Sequence, residues 1–550
     1  MTSRHRRPAA IGIGAGVLIA GVVGFGSPAT AFAVDPDDLE SRVTVAGVTA
    51  HLQALQDIAD ANGGNRAIGT PGYEASGEYV EQVLTAAGYT PVRQPFQATT
   101  QSIDQFSITL LGSTTDLANP AGDRIPMEGT TATDAAGIVG ASVVVPTTAT
   151  GCTAAEWGGV DATGLVAVVS RGACAFADKS LAAAEAGAVA LLVYNNEDGP
   201  LNGTLGEQVP EFVPTVGITQ AEGQAILAEL AASNPVPVDL QLQETTTTVD
   251  TFNIIAETTT GRTDNTVMLG AHLDSVPEGP GINDNGSGTA AILETAVQLA
   301  ASGPLNNQVR FAWWGAEEVG LVGSTYYVDD LVENDPAELD QIATYLNFDM
   351  VASPNYVISV YDANESTYPA PVEVPAGSVA TEQAFTDYFD ASGQPWIDTA
   401  FDGRSDYDAF IANGIAASGL FTGADDEKTP EQAALFGGTG GPGITPDPNY
   451  HTAGDDISNI NPEALGIMIG AISSVTASLA NDTSAINGVL PPADPSPSAP
   501  AVVPAAAAEP QLAATGAEDV LPMLPLGMLV LGLGVTLALV RKRTREQSGR

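Results

Sequence analysis

The chain has 550 residues, enough for two or three domains, and 44% of them are hydrophobic, the share of a folded protein rather than a disordered one. Its formal net charge is −48, from 66 acidic residues against 18 Lys and Arg. Such a surface repels nucleic acid and anionic lipid, which excludes both as expected partners but names no function.

Taken in chain order, residues 1–33 read as a secretory signal: a basic start, an apolar run and a cleavage site at Ala31-Phe32-Ala33. Arg6 and Arg7 fit a twin-arginine route, and a retained membrane anchor is the alternative. Residues 34–117 begin with two helical patterns, "VTAHLQALQDIADANGG" and, after a "GTPG" turn, "YEASGEYVEQVLTAAGY". His51 falls on the polar part of the first and is expected to be solvated. Strand-like runs such as "QSIDQFSITLLG" follow. Over 118–250 small residues and short strands dominate ("GLVAVVSRG", "AVALLVYNN", "FVPTVGIT"), with one clear helix, "FADKSLAAAEAGA". This region holds both cysteines and no His, and reads as an inserted domain without chemistry of its own.

Over 251–482 strands alternate with helices, which predicts an α/β domain with helices on both faces of its sheet. A Pro/Ala-rich stretch over 483–511 predicts a structureless stalk. Residues 512–516 read "LAATG", 520–540 are uncharged and long enough to span a bilayer, and 541–550 are basic. That order resembles a sortase signal of Gram-positive bacteria. The resemblance implies cleavage after Thr515 and attachment to peptidoglycan; a plain membrane anchor is the alternative. Cys152 and Cys174 fit one disulfide in an exported protein, with two free thiols as the other reading.

The α/β region contains two of the four His, His272 and His451, each in a loop with acids close by. "AHLD" sets His272 and Asp274 on one side of an extended segment. "GINDNGSG" presents Asp284 among glycines. "FAWWGAEEVG" ends an apolar strand in Glu317 and Glu318, an adjacent acid pair that a cation or a raised pKa would stabilise. "YLNFDM" ends in Asp349, and "PNYHTAGDD" supplies Tyr450 and His451. Carboxylates and imidazoles delivered at successive strand exits have the ligand chemistry of a paired divalent-metal site, and mixed N and O donors without Cys favour zinc.

These segments, with "NRAIGTPGYEASGEYV" near the N-terminus, resemble metallopeptidase family 28, closest to its secreted double-zinc aminopeptidases. The resemblance implies a mixed central sheet and two Zn2+ per chain. It gives His272 and Asp349 to one ion, Glu318 and His451 to the other, and Asp284 to both. It implies that Glu317 is the general base, Asp274 orients His272, Tyr450 donates to the oxyanion and Arg404, in "GRSDYDAF", orients the substrate. Met350 and Phe421 resemble walls of the side-chain pocket; plain core packing is the alternative for either. The segment from Gly151 to Asn196 resembles a protease-associated domain, with Cys152 and Cys174 as its structural disulfide.

The expected activity is an extracellular, wall-attached aminopeptidase releasing apolar N-terminal residues from peptides, acting as a monomer. A carboxypeptidase, a one-zinc aminoacyl cyclase, or a non-catalytic surface receptor or adhesin are the other readings. An added Ca2+ fits the many surface acids but has no location.

Overall fold

The computed structural model describes residues 34–117, 124–196, 199–206 and 208–492. The expected signal, the sorting motif, the span and the basic tail lie outside them. Among the described residues fourteen strands run in chain order as β1 (Val92–Leu110), β2 (Ser113–Asp116), β3 (Arg124–Pro126), β4 (Ile138–Val144), β5 (Val166–Ser170), β6 (Ala190–Tyr194), β7 (Thr215–Ile218), β8 (Pro237–Glu257), β9 (Arg262–His272), β10 (Asn307–Trp314), β11 (Ile342–Phe348), β12 (Ser359–Tyr361), β13 (Ile397–Thr399) and β14 (Ala417–Phe421).

The peptidase part is built on the order β8-β10-β9-β11-β14-β12-β13. β10, β9, β11 and β14 are parallel, while β8 and β12 pair antiparallel at the flanks, so the sheet is mixed. Its central strands are buried on both faces: every residue of β10 ("NQVRFAWW") is buried, including Asn307, Gln308 and Arg310 at its start. Alternation divides their side chains between two layers. Val267, Leu269 and Ala271 of β9 join Phe311 and Trp313 of β10 in one core, under helices Val45–Ala61, Gly286–Ala300 and Pro462–Asn481. Met268, Ala312 and Trp314 point the other way, onto helices Val322–Asn334 and Asp408–Ala412. Helix Pro462–Asn481 is apolar and long enough to cross a membrane, yet 72% of its most apolar window is buried in this core.

A second group of strands, β4 to β7, pairs in parallel, with β3 antiparallel at the edge of β7 and β4 antiparallel on β8. Its cores, around Val168 and Leu192 on one face and Leu191 and Trp157 on the other, are separate from those above. The two parts are joined by a long antiparallel ribbon of β1 and β8, whose register runs from Val92 opposite Ile255 to Thr109 opposite Asp239. Phe106, Ile108 and Leu110 of β1 therefore pack in the insert's core, while Phe96 packs in the peptidase core. Cys152 and Cys174 form a disulfide, and Lys179 Nζ, buried beside it, donates to the carbonyls of Thr150 and Gly172.

Three expectations change. The insert has a second helix of substance, Gln220–Ala231, started by a capping box between Thr219 and Glu222; its apolar stripe is weak, so periodicity alone passes over it. His51 is not solvated: its ring lies between Tyr79 Oη at 2.6 Å and Glu294 Oε2 at 3.2 Å, where three helices meet. Residues 483–487, expected to begin the stalk, belong to the folded unit. Thr483 is buried and accepts from Asn265, and Ile486 packs against the core.

Candidate active site

Three neighbouring parallel strands, β10, β9 and β11, deliver an acid or an imidazole at or just beyond their ends at one edge of the sheet. β9 ends in His272, fully buried. Its Nε2 stands 3.2 Å from Asp284 Oδ1, 3.3 Å from Asp349 Oδ1 and 3.8 Å from Glu317 Oε2. His451 Nε2 stands 3.2 Å from the other oxygen of Asp284 and 3.0 Å from Glu318 Oε2. One carboxylate thus has an imidazole on each oxygen. Burial works to raise the Asp284 pKa, but the two imidazoles hold it below the usual carboxylate range.

The donor set fits divalent cations. His272 Nε2, Glu318 Oε1 and Asp349 Oδ1 are buried with no hydrogen-bond partner, a costly condition for three polar atoms in one cluster. His272, Asp284 and Glu318 converge within 4.8 Å, as do His272, Glu317 and Asp349. Burial, reinforced by neighbouring acids, drives Glu317 well above the ordinary range of a glutamate and Glu318 to about 7. Burial opposes protonation of both His, yet the surrounding carboxylates raise both pKa values. Positive charge belongs between these groups.

The supporting residues are in part those the sequence pointed to. Asp274 lies 3.7 Å from His272 Nδ1 through its carboxylate, and its carbonyl is 3.1 Å from the same nitrogen. Its oxygens also accept the backbone N–H groups of Glu317 and Glu318. Sequence reasoning passed over Asp455, which accepts the N–H groups of Asn283 and Asp284 at 2.8 and 2.9 Å. It also passed over Ser405, whose hydroxyl donates to Asp349 at 2.7 Å, and Arg66. The Arg66 guanidinium is fully buried and donates to the carbonyls of Leu273, Pro280 and Gly281, clasping the loop that carries Asp284. Nearness of Asp455 to His451 and of Ser405 to Arg404 in sequence was the only available signal.

Beside the acids opens a cavity of about 160 Å3. Pockets for drug-sized ligands measure roughly 300–1,000 Å3, so this one suits a single residue. Met350 and Phe421 line it, as do Tyr361, Tyr368 and Ala424, which sequence reasoning did not single out. Arg404 and Tyr450 reach the same cavity; the guanidinium holds Asp425 at 3.0 Å, and the Tyr450 ring stacks on His451 at 3.8 Å. Ala316, Met350 and His451 adopt left-handed backbone conformations, with φ of 61°, 53° and 55°. Such residues cost about 1 kcal/mol or more each and persist where the surroundings dictate them.

Sheet, strand-end acids and single-residue cavity together define a metallo-aminopeptidase. Residues 253–476 match peptidase family M28, and residues 139–226 match the PA domain. The chain is 42% identical over 475 residues to the probable lipoprotein aminopeptidase LpqL of Mycobacterium tuberculosis, covering 85% of this chain and 91% of that protein. It is 41% identical over 464 residues to leucine aminopeptidase 2 of Trichophyton tonsurans, covering 84% and 89%. Among solved structures, the aminopeptidase of Aneurinibacillus sp. strain AM-1 superposes with a TM-score of 0.63 at 26% identity, over 80% of this chain and 95% of that one. The protein belongs to peptidase family M28 and carries an inserted PA domain.

Proposed function

We propose that the protein is an exported, double-zinc aminopeptidase that removes apolar N-terminal residues from peptides. The observation that carries the reading is Asp284, with one oxygen facing His272, which also meets Asp349, and the other facing His451, which also meets Glu318. His272 and Asp349 would hold one ion, Glu318 and His451 the second, and Asp284 both. Bound zinc would polarise the scissile carbonyl and make a water acidic enough to attack near neutral pH.

The chain's own groups do the rest. Glu317 Oε2, 3.8 Å from His272 and raised in pKa by burial, is suited to take a proton and return it to the leaving amine. Tyr450 keeps its hydroxyl proton, since burial raises its pKa well above the ordinary value, and can donate to the developing oxyanion. Arg404 at the rim would orient the substrate. The free α-amine would lie against the acids, which selects exopeptidase action. Met350 and Phe421 would accept the apolar side chain. A zinc aminopeptidase of Bacillus subtilis shares the fold, with a TM-score of 0.54 at 24% identity.

Export rests on residues 1–33, and attachment to peptidoglycan on "LAATG" at 512–516 followed by the apolar run and basic tail. The proposal is a wall-bound monomer.

Amino-acid p-nitroanilides test the activity. Leucine-like substrates are expected to be cut, chelation to abolish turnover, and zinc to restore it with two ions per chain by elemental analysis. Glu317→Ala should lose at least about 10²-fold in kcat while keeping both ions. One ion per chain would favour the cyclase reading, and activity indifferent to chelation would end the metal mechanism.

A further inference from the structure

We propose that Glu128, carried by the inserted domain, forms the subsite for the second residue of the substrate and selects a cationic side chain there. The inference rests on the aminopeptidase reading and deepens it. The side chain of the first residue enters the cavity beside Asp349, Met350 and Phe421, and the scissile bond lies over Asp284. The remaining peptide then leaves over His451, which does not line that cavity.

That is where the insert meets the peptidase part. Gly320 closes the turn begun by Glu317, donating its N–H to the Glu317 carbonyl at 2.9 Å. The Cα of Gly206 lies 4.0 Å from the position a Cβ on Gly320 would occupy. Gly206 directly follows Thr204 and Leu205, and Thr204 forms an isolated bridge with Glu128. The Glu128 N–H donates to Gly203 O at 3.0 Å, and the Leu205 N–H donates to Glu128 O at 2.8 Å. Gln101 of β1 fixes the adjoining residues, its Oε1 accepting from Gly129 and its Nε2 donating to Thr130 O; Gln208 Nε2 donates to the same carbonyl at 2.6 Å. The ribbon therefore holds Glu128 in place rather than leaving it on a free loop.

The Glu128 side chain is solvent-exposed, is hydrogen-bonded to Thr204, and lies within Coulombic reach of His451. Arg171, the insert's cation facing this region, acts on Asp426 instead. A carboxylate fixed at the exit of the site and without an Arg or Lys partner among the described residues attracts a cationic side chain and repels an anionic one.

The test compares Leu-Lys-Ala-amide, Leu-Gln-Ala-amide and Leu-Glu-Ala-amide with the zinc-loaded protein. It is run at pH 8.5, where a glutamate carboxyl is ionised and a lysine side chain still carries its charge. The wild type should show kcat/KM about fivefold higher for Lys than for Gln, with Glu lowest, the scale of one partly exposed ion pair. Glu128→Gln should cut the Lys-to-Glu ratio at least threefold, and Glu128→Lys should invert it. Each ratio is taken within one protein, so a loss of active fraction cancels. A wild type that does not distinguish the three peptides, or a Glu128→Gln variant that keeps the wild-type ratio, overturns the proposal. A wild type that cleaves neither these peptides nor leucine p-nitroanilide overturns the aminopeptidase reading instead.

Discussion

Asp274 accepts the backbone N–H groups of Glu317 and Glu318 and also faces His272 Nδ1, so one carboxylate sets both the imidazole and the acid pair. Replacing it with Ala should weaken zinc affinity about 10–100-fold, the usual effect of removing a group that orients a ligand. Competition against a fluorescent chelator measures this, and an unchanged affinity would show that the turn holds its shape without Asp274. Most of the cluster was legible in the sequence, because His272, Glu317, Glu318 and Asp349 each close or follow an apolar strand and thus occupy a recognisable kind of place. Asp455 and Arg66 were not. An acid in a polar loop and an Arg at a turn look solvated until the fold buries them against backbone groups far off in the chain, such as Leu273 O for Arg66.

Elements position these residues through close approaches. The helix Gly286–Ala300 starts directly behind Asp284, and a Cβ at Gly288 would collide with the Phe348 carbonyl at the end of β11. Gly288→Ala is expected to push that helix off the strand, costing about 1–3 kcal/mol by overpacking and displacing Asp349. Urea unfolding and metal content, measured together, check both effects; a variant with wild-type stability and wild-type metal content would show that the helix start can shift without cost. Arg66→Ala should cost about 3–5 kcal/mol, since it leaves a buried cluster of carbonyls unpaired and the neighbouring acids uncompensated. A loss under 1 kcal/mol in the same urea experiment would contradict the clasp.

Across the whole chain, the peptidase core and the insert's cores are separate bodies of apolar side chains joined by the β1–β8 ribbon. The Cys152–Cys174 link closes a 22-residue separation, which corresponds to about 3 kcal/mol in the chain-entropy picture. Serine at both positions should lower a melting transition of the insert while leaving that of the peptidase part in place; a uniform fall of a single transition would show the two parts unfold as one. Chelation should act in the opposite pattern, because removing cations leaves Asp284, Glu317, Glu318 and Asp349 crowded together. Zinc at 100 times its Kd should return about 2.7 kcal/mol to the peptidase part, read as a calorimetric shift.

The sequence by itself determined the alternation of strands and helices, the acids and imidazoles at strand exits, and the distinct composition of the insert. These follow from local rules, since periodicity and strand-end chemistry are properties of short segments. Only the tertiary structure decided that His51 is locked between helices and that residues 483–487 dock on the domain. It alone brought Gly206 of the insert beside Gly320, in the turn that follows Glu317. Each of these depends on contacts between segments remote in the chain, which a run of neighbouring residues does not encode.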